Sequence, residues 1–207
     1  MKKKILDIFI LIIGLIILIT IILIAIKYGG NMVNEQKMSN IVEQIKLIDI
    51  HQGSTDQSLP NDGLDIETNA ITEIKIDDYI VLGIIRIPKI ELEYPILNET
   101  TNLSMKKSIT KFWGPNLNEI GNLSLAGHNN YDRTMFARVK ELTIGDIIEI
   151  EDLNKNIVKY EVFDIYVTDP NDVSCVKSVD PDSREVTLIT CTNGSKNRLI
   201  TKAREIK

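Results

Sequence analysis

The amino-acid sequence predicts a mostly β fold, a closed or nearly closed β-barrel with one or two short helices, preceded by an N-terminal transmembrane helix. Three observations support this prediction. Residues 8–26 form an uncharged stretch built almost wholly from Ile and Leu. From about Tyr79 onwards the chain consists of short β-rich runs separated by turn residues. With 207 residues, the chain has room for one domain of ordinary size and an appendage.

The N-terminal stretch has the length and composition of a membrane anchor. Its nineteen uncharged residues, 8–26, span roughly the 30 Å hydrocarbon core of a bilayer as a helix. Three lysines at positions 2–4 precede it, which predicts a cytoplasmic N-terminus and an extracytoplasmic remainder. A cleaved signal peptide would have a shorter apolar region and a small-residue cleavage site. A buried core helix would need a large protein around it. The sequence therefore favours an uncleaved, single-pass anchor in the cell membrane.

Charge divides the chain at the end of this stretch. Residues 1–26 have a net charge of +2 and the remainder has −7. An acidic domain is a poor nucleic-acid binder, so nucleic acid is not an expected partner. The charge says little about a peptide substrate.

The sequence predicts three parts along the chain. They are a cytoplasmic stub with the anchor (residues 1–27), an extracytoplasmic linker (residues 28–75) and a β-barrel domain (residues 76–207). Gly29 and Gly30 are expected to break the first helix. Within the linker, apolar residues at helical spacing predict a short amphipathic helix over residues 34–49. Residues 51–69 are rich in Gly, Ser, Asp, Asn and Pro, which is a linker composition.

Seven runs in the barrel domain predict strands, and their number with few helices favours a barrel of seven or eight strands. The runs are residues 80–87, 92–97, 123–126, 146–151, 158–168, 185–191 and 198–203. Pro88 and Pro95 are expected at strand ends or edges. One short helix is expected over residues 102–109, and Asp132 is expected to cap a turn through residues 134–136.

The last two runs predict a hairpin that carries a reactive pair. Asn193-Gly194 between them is a strong turn signal. If the strands pair antiparallel, one register sets Cys191 across from Arg198, with Cβ atoms roughly 5 Å apart. Nearby positive charge favours the thiolate, which is the nucleophilic form of cysteine. Sequence alone fixes a register weakly, and in another register Arg198 would be an ordinary surface residue.

His128 supplies the base that this pair lacks. The chain has two histidines, and His51 lies in the predicted linker, where nothing fixes its geometry. His128 follows a β run and a glycine, so it stands where a strand meets a loop at the barrel rim. An imidazolium can protonate a leaving amine, and Asn129 or Asn130 could orient the ring. On residue type alone, a structural histidine is the alternative.

Cys175 leaves two readings open. A disulfide with Cys191 would close a modest loop, whereas a free thiol would leave Cys191 available for chemistry, which the sequence favours.

Four acidic residues offer oxygens of the kind that calcium prefers, but exposed carboxylates are ordinarily solvated. They are Glu141, Asp146, Glu149 and Asp152. We therefore expect no metal and no other cofactor.

The residues around these side chains resemble the sortases, the membrane-anchored cysteine transpeptidases of Gram-positive bacteria. Thr187 to Cys191, Thr-Leu-Ile-Thr-Cys, is similar to the family's Thr-Leu-x-Thr-Cys signature. Other segments resemble the family's first barrel strand, the segment ahead of the histidine, the histidine strand and the arginine strand; they are residues 83–88, 112–115, 125–129 and 198–200. The resemblance covers roughly residues 80–206, and its motifs are specific because they occur in the right order.

The resemblance implies an eight-stranded sortase-type β-barrel. It implies Cys191 as nucleophile, His128 as general acid or base, and Arg198 as stabiliser of the oxyanion or substrate. Thr190 would help to position the substrate or oxyanion. We predict the same supporting role for Asn129, which is next to the histidine. The implied substrates are secreted proteins with a C-terminal sorting signal, commonly Leu-Pro-any-Thr-Gly, cut between Thr and Gly to give a thioester. The implied acceptor is an amine of a peptidoglycan precursor, or less favourably a pilin lysine.

Two departures leave the subclass open. Only six residues separate Cys191 from Arg198, a short loop compared with many sortases. No Asp-Pro-aromatic lid motif precedes the barrel, which disfavours a pilin polymerase.

Two functions other than transpeptidation are compatible with these residues. One is a hydrolytic cysteine peptidase, which passes the acyl group to water. The other is a catalytically inactive, membrane-tethered binding module, in which a free cysteine would be a liability.

Overall fold

A computed structural model describes the backbone of residues 2–52 and 74–206, and the side chains of residues 9–25, 33–46 and 74–206. The chain divides into two compact units, Met1–Lys37 and Met38–Lys207. The elements are α1 (Lys2–Gln52), β1 (Lys75–Ile76), β2 (Tyr79–Ile87), β3 (Leu92–Leu97), β4 (Ile109–Trp113), β5 (Gly121–Ala126), β6 (Ile147–Asp152), β7 (Ile157–Thr168), β8 (Arg184–Thr192) and β9 (Asn197–Glu205). Short 3-10 turns lie at Pro88–Ile90, Ser104–Lys106, Phe136–Glu141 and Ser174–Val176.

Eight strands form a closed barrel. Their order is β2-β3-β4-β5-β8-β9-β7-β6, and β6 pairs back with β2. The pairs β3–β4 and β5–β8 are parallel, and the other pairs in the ring are antiparallel. β1 pairs with β2 outside the ring. Closure leaves the ring without open edges, and it confirms the predicted mostly β barrel with few helices.

All seven predicted strands are present, with ends that differ by no more than two residues. β4 is the barrel strand that the sequence did not reveal. The predicted helix over residues 102–109 is only the turn Ser104–Lys106, and β4 begins directly after it at Ile109. Ile109 and Thr110 are both buried while Trp113 is exposed, so β4 lacks the alternation that marks a strand.

The two prolines and Asp132 lie close to their predicted settings. Pro88 starts a 3-10 turn directly after β2. Pro95 lies inside β3, but β4 pairs only with Ile96 and Leu97, so β3 has a single paired neighbour at the proline, as an edge strand has. Asp132 Oδ1 accepts hydrogen bonds from the Thr134 hydroxyl at 2.7 Å and the Thr134 amide at 3.2 Å, which confirms the predicted cap.

α1 runs without interruption through Gly29 and Gly30, so the predicted helix break is wrong. Each glycine costs a helix only about 1 kcal/mol relative to alanine, a cost that a helix of 51 residues can absorb. Every side chain of residues 9–25 is exposed. The residues that the structure describes include no helix that is both long and apolar enough to cross a membrane.

The second unit includes the end of α1. Met38, Ile41, Val42 and Ile45 are buried and belong to the same hydrophobic core as the barrel strands, and their spacing is that of one helix face. The amphipathic helix predicted over residues 34–49 is therefore a part of α1, with Ile48 outside the described side chains. Residues 53–73 of the predicted linker lie outside the described range, and the predicted boundaries after residues 27 and 75 stay predictions.

Alternation along β8 separates the core from the opposite face of the sheet. Val186 and Leu188 are fully buried in the hydrophobic core. Because side chains alternate along a strand, Thr187, Ile189 and Cys191 share the outer face. The barrel thus holds β8 rigidly and presents Cys191 near the end of the strand.

Candidate active site

Cys191 and Arg198 are directly opposite each other. β8 and β9 pair antiparallel with Cys191 across from Arg198, which is the register that the sequence analysis considered. The turn between the strands has positive φ at Asn193, Gly194 and Ser195, as the Asn-Gly signal predicts. Directly opposed side chains share a face, and both line one cavity.

The parallel pairing of β5 and β8 brings His128 level with Cys191. Ala126 is paired with Ile189, and His128 and Cys191 each lie two residues further along their chains. The Gly127 amide extends the ladder by donating to the Ile189 carbonyl at 3.2 Å. His128 is half-buried and lines the same cavity as Cys191 and Arg198. The three predicted catalytic residues therefore meet at one rim.

The backbone around His128 is held tightly. The His128 carbonyl accepts a hydrogen bond from the Phe136 amide at 2.9 Å, and the Thr190 hydroxyl donates to the Gly127 carbonyl at 2.8 Å. A Cβ at Gly127 would lie 2.7 Å from the buried Phe136 ring, so only glycine fits there. The Thr190 hydroxyl thus fastens the segment that carries His128, and its role toward substrate or oxyanion stays a prediction.

Asn129 connects the histidine loop to the cysteine strand. Its Nδ2 donates to the Cys191 carbonyl at 2.8 Å, while Asn130 Nδ2 donates to the Thr134 hydroxyl at 2.8 Å. No hydrogen bond from either amide to the His128 ring occurs among the described residues. The suggestion that one of them orients the imidazole is not realised, because both amides stabilise the loop instead.

The guanidinium of Arg198 uses only some of its hydrogen-bond donors within the described part of the protein. Its Nη1 donates to the carbonyls of Ser195 and Asn197, each at 3.2 Å. Nε and Nη2 make no hydrogen bond to any residue in the described part of the chain. These two groups are therefore available to bind a carbonyl or an oxyanion of a substrate.

The cavity that Cys191, His128 and Arg198 line, which we call the first cavity, has a volume of about 360 Å³. Its apolar floor consists of Ala126, Ile189 and Ile200, each two residues further from the rim along its strand than His128, Cys191 and Arg198, respectively. Apolar side chains from other segments, including Met105, Phe112 and Val173, complete its walls. A pocket of this size with an apolar lining and a few polar groups at one end is typical of a ligand site.

Cys175 is a wall residue of the first cavity and is not bonded to Cys191. Both cysteines are free thiols, so the disulfide alternative is not realised. Cys175 is buried, and burial, together with nearby Asp172, raises the pKa of its thiol. The Cys175 thiol is therefore less reactive than the thiol of Cys191, which is only half-buried.

A second cavity of about 410 Å³ also borders Cys191. Its lining includes Arg133, Lys140 and Ser195. Cys191 borders both cavities. A group bound covalently to Cys191 in the first cavity could therefore also be reached from the second cavity.

Asp172 organises the wall of the first cavity. Its Oδ2 accepts a hydrogen bond from the Thr168 hydroxyl at 2.6 Å, and its Oδ1 accepts one from the Ser174 amide at 2.9 Å. These hydrogen bonds, chiefly that from Thr168, lower the pKa of Asp172 from 3.8 to about 2. The ionised carboxylate is thus the form that holds this turn.

Replacing Asp172 with asparagine is expected to lower the free energy of unfolding at neutral pH by an amount that shrinks in acid. Because the pKa of Asp172 is lower in the folded state, its contribution is fully present above its unfolded pKa near 3.8 and is lost as pH falls toward about 2. Denaturant unfolding of both proteins from pH 7 to pH 3 measures the difference. A difference that stays constant over this range would contradict the assignment.

The four acidic residues considered as calcium ligands have separate partners. Glu141 pairs with Arg138, and Glu149 pairs with Lys159. Asp146 and Asp152 accept hydrogen bonds from nearby backbone amides. Within residues 9–25, 33–46 and 74–206, no cluster of three or more His, Cys, Asp or Glu is placed to hold a metal ion.

Residues 85–206 match the family model of the sortase domain. The chain belongs to the sortase family. The matched span is more than half of the chain and contains Cys191, His128 and Arg198. The protein is thus a cysteine transpeptidase of the sortase type, and its barrel, thiol and histidine agree with that assignment.

This sortase is similar to characterised members of several classes. Sortase A of Listeria monocytogenes is 28% identical over 197 residues, which are 92% of this chain and 85% of that protein. The structure of the Clostridium perfringens Sortase D5 transpeptidase is 26% identical with a TM-score of 0.60, covering 84% of this chain and 98% of that one. Clostridium perfringens sortase C, solved with the C-terminal cell wall sorting motif, is 25% identical with a TM-score of 0.56, covering 83% and 90%. Relatives from classes A, C and D leave the subclass open.

Sequence reasoning found the three polar residues of the site but missed its floor and one wall. A signal for the floor was present, because a register that pairs Cys191 with Arg198 also pairs Ile189 with Ile200 on the same face. No comparable signal marks Asp172 or Cys175. They reach the cavity through the path of an irregular loop, which residue periodicity does not predict.

Proposed function

We propose that this sortase cleaves the C-terminal sorting signal of secreted proteins, an LPxTG-like sequence, and transfers the protein to an amine of a peptidoglycan precursor. A pilin lysine is the less favoured acceptor. The observation that carries the proposal is the pairing of Cys191 with Arg198 at the rim of a cavity that His128 also lines. The apolar floor beneath them suits the leucine and proline of such a signal.

In the proposed first step, the Cys191 thiolate attacks the carbonyl carbon of the signal's threonine. The Arg198 Nε and Nη2 donors stabilise the oxyanion of the tetrahedral intermediate. The carbon–nitrogen bond to glycine then breaks, and the His128 imidazolium protonates the departing amine. The products are a thioester on Cys191 and a released C-terminal fragment.

In the second step, the acceptor amine attacks the thioester and releases the thiolate. His128, now neutral, takes the proton that the amine loses. Two cavities meet at Cys191, so the amine can enter through the second while the acyl chain occupies the first.

The proposal includes a membrane anchor at residues 8–26, a cytoplasmic N-terminus and an extracytoplasmic catalytic domain. The support is the uncharged Ile and Leu stretch, the lysines that precede it, and the exposure of every side chain of residues 9–25. An apolar helix surface exposed all round is stable in lipid and costly in water. Anchoring would place the enzyme beside a lipid-borne acceptor.

The experiment that tests the proposal uses the full-length protein with sorting-signal peptides of varied sequence, with and without an amine acceptor. Mass spectrometry identifies the products. Peptide joined to the amine supports transpeptidation, and cleavage to the free acid at the same rate with and without amine would identify a hydrolase. No cleavage of any peptide would overturn the proposal. Protease accessibility in intact vesicles would test the anchor and the orientation.

A further inference from the structure

The loop between β7 and β8 forms one wall of the first cavity without belonging to the sheet. It spans residues 169–183 and has a single 3-10 turn, Ser174–Val176. Asp172 and Cys175 from this loop line the cavity beside Cys191. Because no β-ladder holds residues 169–183, other contacts must fix the position of this wall.

Beneath the apolar floor lies a layer of buried polar side chains. Along β8 and β9, Thr187 is paired with Lys202, two residues further from the rim than the floor residues Ile189 and Ile200. Asn122 lies on the adjacent strand β5. The exposed fractions of these polar residues are 4% for Asn122, 0% for Thr187 and 5% for Lys202. We refer to Asn122, Thr187 and Lys202 as the buried clamp.

The buried clamp binds two carbonyl groups of the loop. Lys202 Nζ donates to the carbonyl of Cys175 at 3.2 Å and to that of Lys177 at 2.8 Å. Asn122 Nδ2 donates to the same two carbonyls, at 3.0 Å and 3.4 Å. The Thr187 hydroxyl donates to Asn122 Oδ1 at 2.9 Å, which fixes the orientation of that amide. The loop is thereby tied to the sheet at the residue that lines the cavity.

A second attachment lies further along the same loop. The carboxylate of Glu185 is buried and accepts hydrogen bonds from the Val179 and Asp180 amides at 2.8 Å and 2.9 Å. Arg204, paired with Glu185 across β8 and β9, forms an ion pair with that carboxylate at 3.2 Å. Of these two attachments, the buried clamp is the one that binds a residue lining the cavity, Cys175.

Burial of the Lys202 ammonium is unfavourable, and its hydrogen bonds to the loop carbonyls offset that cost. Removing an ammonium from water is strongly unfavourable, and lysine is almost never fully buried without a partner. In the described part of the chain, Lys202 forms no ion pair with an acid, and its hydrogen-bond partners are the two loop carbonyls. A methionine would fill the same volume without the desolvation cost. The charge therefore serves to hold the loop by strong, charge-assisted hydrogen bonds.

We propose that Lys202 is a positioning residue for the sorting signal. Through the buried clamp it holds the Cys175–Lys177 segment in place, pre-forms the wall of the first cavity and so sets the affinity for the peptide. It does not touch the reacting atoms, which lie two layers away at Cys191. This inference rests on the proposed function. Its physical basis is that a binding surface ordered in advance loses less entropy when the ligand binds.

The kinetic test compares Lys202→Met with Lys159→Met in the full-length protein. Lys159 is a surface lysine of β7 that pairs with Glu149, so its replacement controls for the loss of one lysine. For Lys202→Met, KM for the sorting-signal peptide is expected to rise about 10-fold or more with kcat changed by less than about 2-fold, because ground-state and transition-state binding weaken together. Lys159→Met is expected to leave both constants unchanged.

Hydrogen exchange of the loop tests the clamp without any substrate. The Val176 and Lys177 amides donate to Val173 and Ser174 within the 3-10 turn. We expect them to exchange about 10-fold faster in Lys202→Met, because the loop opens more often, and at the wild-type rate in Lys159→Met. If Lys202→Met does not fold, Thr187→Val removes one clamp hydroxyl with little change of shape and is expected to raise KM about 3-fold.

Three outcomes would overturn the inference. Unchanged KM in folded Lys202→Met and Thr187→Val, with an active wild-type enzyme, would show that the clamp does not set affinity. A fall in kcat with unchanged KM would assign Lys202 to the chemical step. A wild-type enzyme that cleaves no sorting-signal peptide would overturn the proposed function and this inference with it, and the exchange rates would still report whether Lys202 holds the loop.

Discussion

Replacing Cys191 with alanine is expected to lower kcat for cleavage of a sorting-signal peptide on the order of 10⁴-fold or more, because no other group near the rim can form the thioester. This is the scale of loss when the nucleophile of a covalent mechanism is removed. Cys175 cannot take over, since it is buried and burial raises the pKa of its thiol. Single-turnover cleavage followed by mass spectrometry measures both the rate and the acyl-enzyme.

The fold should survive this replacement. Cys191 is half-buried at the end of β8 and is not part of the hydrophobic core. Substitutions at such positions usually change the free energy of unfolding by about 0.5 kcal/mol or less. Thermal unfolding of Cys191→Ala is therefore expected to match the wild type closely. A folded Cys191→Ala protein that still joins a sorting-signal peptide to an amine would refute the mechanism.

Replacing Arg198 with lysine is expected to lower kcat about 10²-fold, equivalent to about 2.7 kcal/mol, although the positive charge is kept. The guanidinium binds the hairpin carbonyls of Ser195 and Asn197 through Nη1. Its other donors remain for the oxyanion. A compact ammonium cannot reproduce this planar fork. Steady-state kinetics with a sorting-signal peptide measures the loss.

The control for this change is Arg184→Lys. Arg184 lies at the other end of β8, where its guanidinium binds Glu205 and the Asn118 carbonyl. The same chemical change there should affect stability and leave kcat near the wild-type value. If Arg198→Lys keeps the wild-type kcat, Arg198 serves packing or hairpin stability and another donor must stabilise the oxyanion.

The catalytic hairpin could be predicted because its information is local. Cys191 and Arg198 lie on neighbouring strands joined by a short turn, and the Asn193-Gly194 signal restricts how those strands can pair. His128 was found from its place between a β run and a loop. Its alignment with Cys191, however, depends on the parallel pairing of β5 with β8, a long-range contact that only the folded barrel provides.

Other features had weak or misleading local signals. β4 is too short and too irregularly buried to show alternation. The two glycines at positions 29 and 30 suggested a helix end, but their cost is small against a long helical sequence on both sides. The sequence offered Asn129 or Asn130 as a group that could orient the imidazole, but their amides bind the backbone of Cys191 and the side chain of Thr134.

By itself, the sequence determined the β-rich class of the domain, the identity of the three polar groups at the rim and the position of the turn between the strands that carry two of them. These follow from strand periodicity and turn chemistry, which act over a few residues. The tertiary structure alone decided the closure of the barrel, the alignment of His128 with Cys191 and the wall of the cavity. In the sequence, Lys202 is one more charged residue on a strand. It is buried only because an irregular loop folds over it and supplies the carbonyls of Cys175 and Lys177.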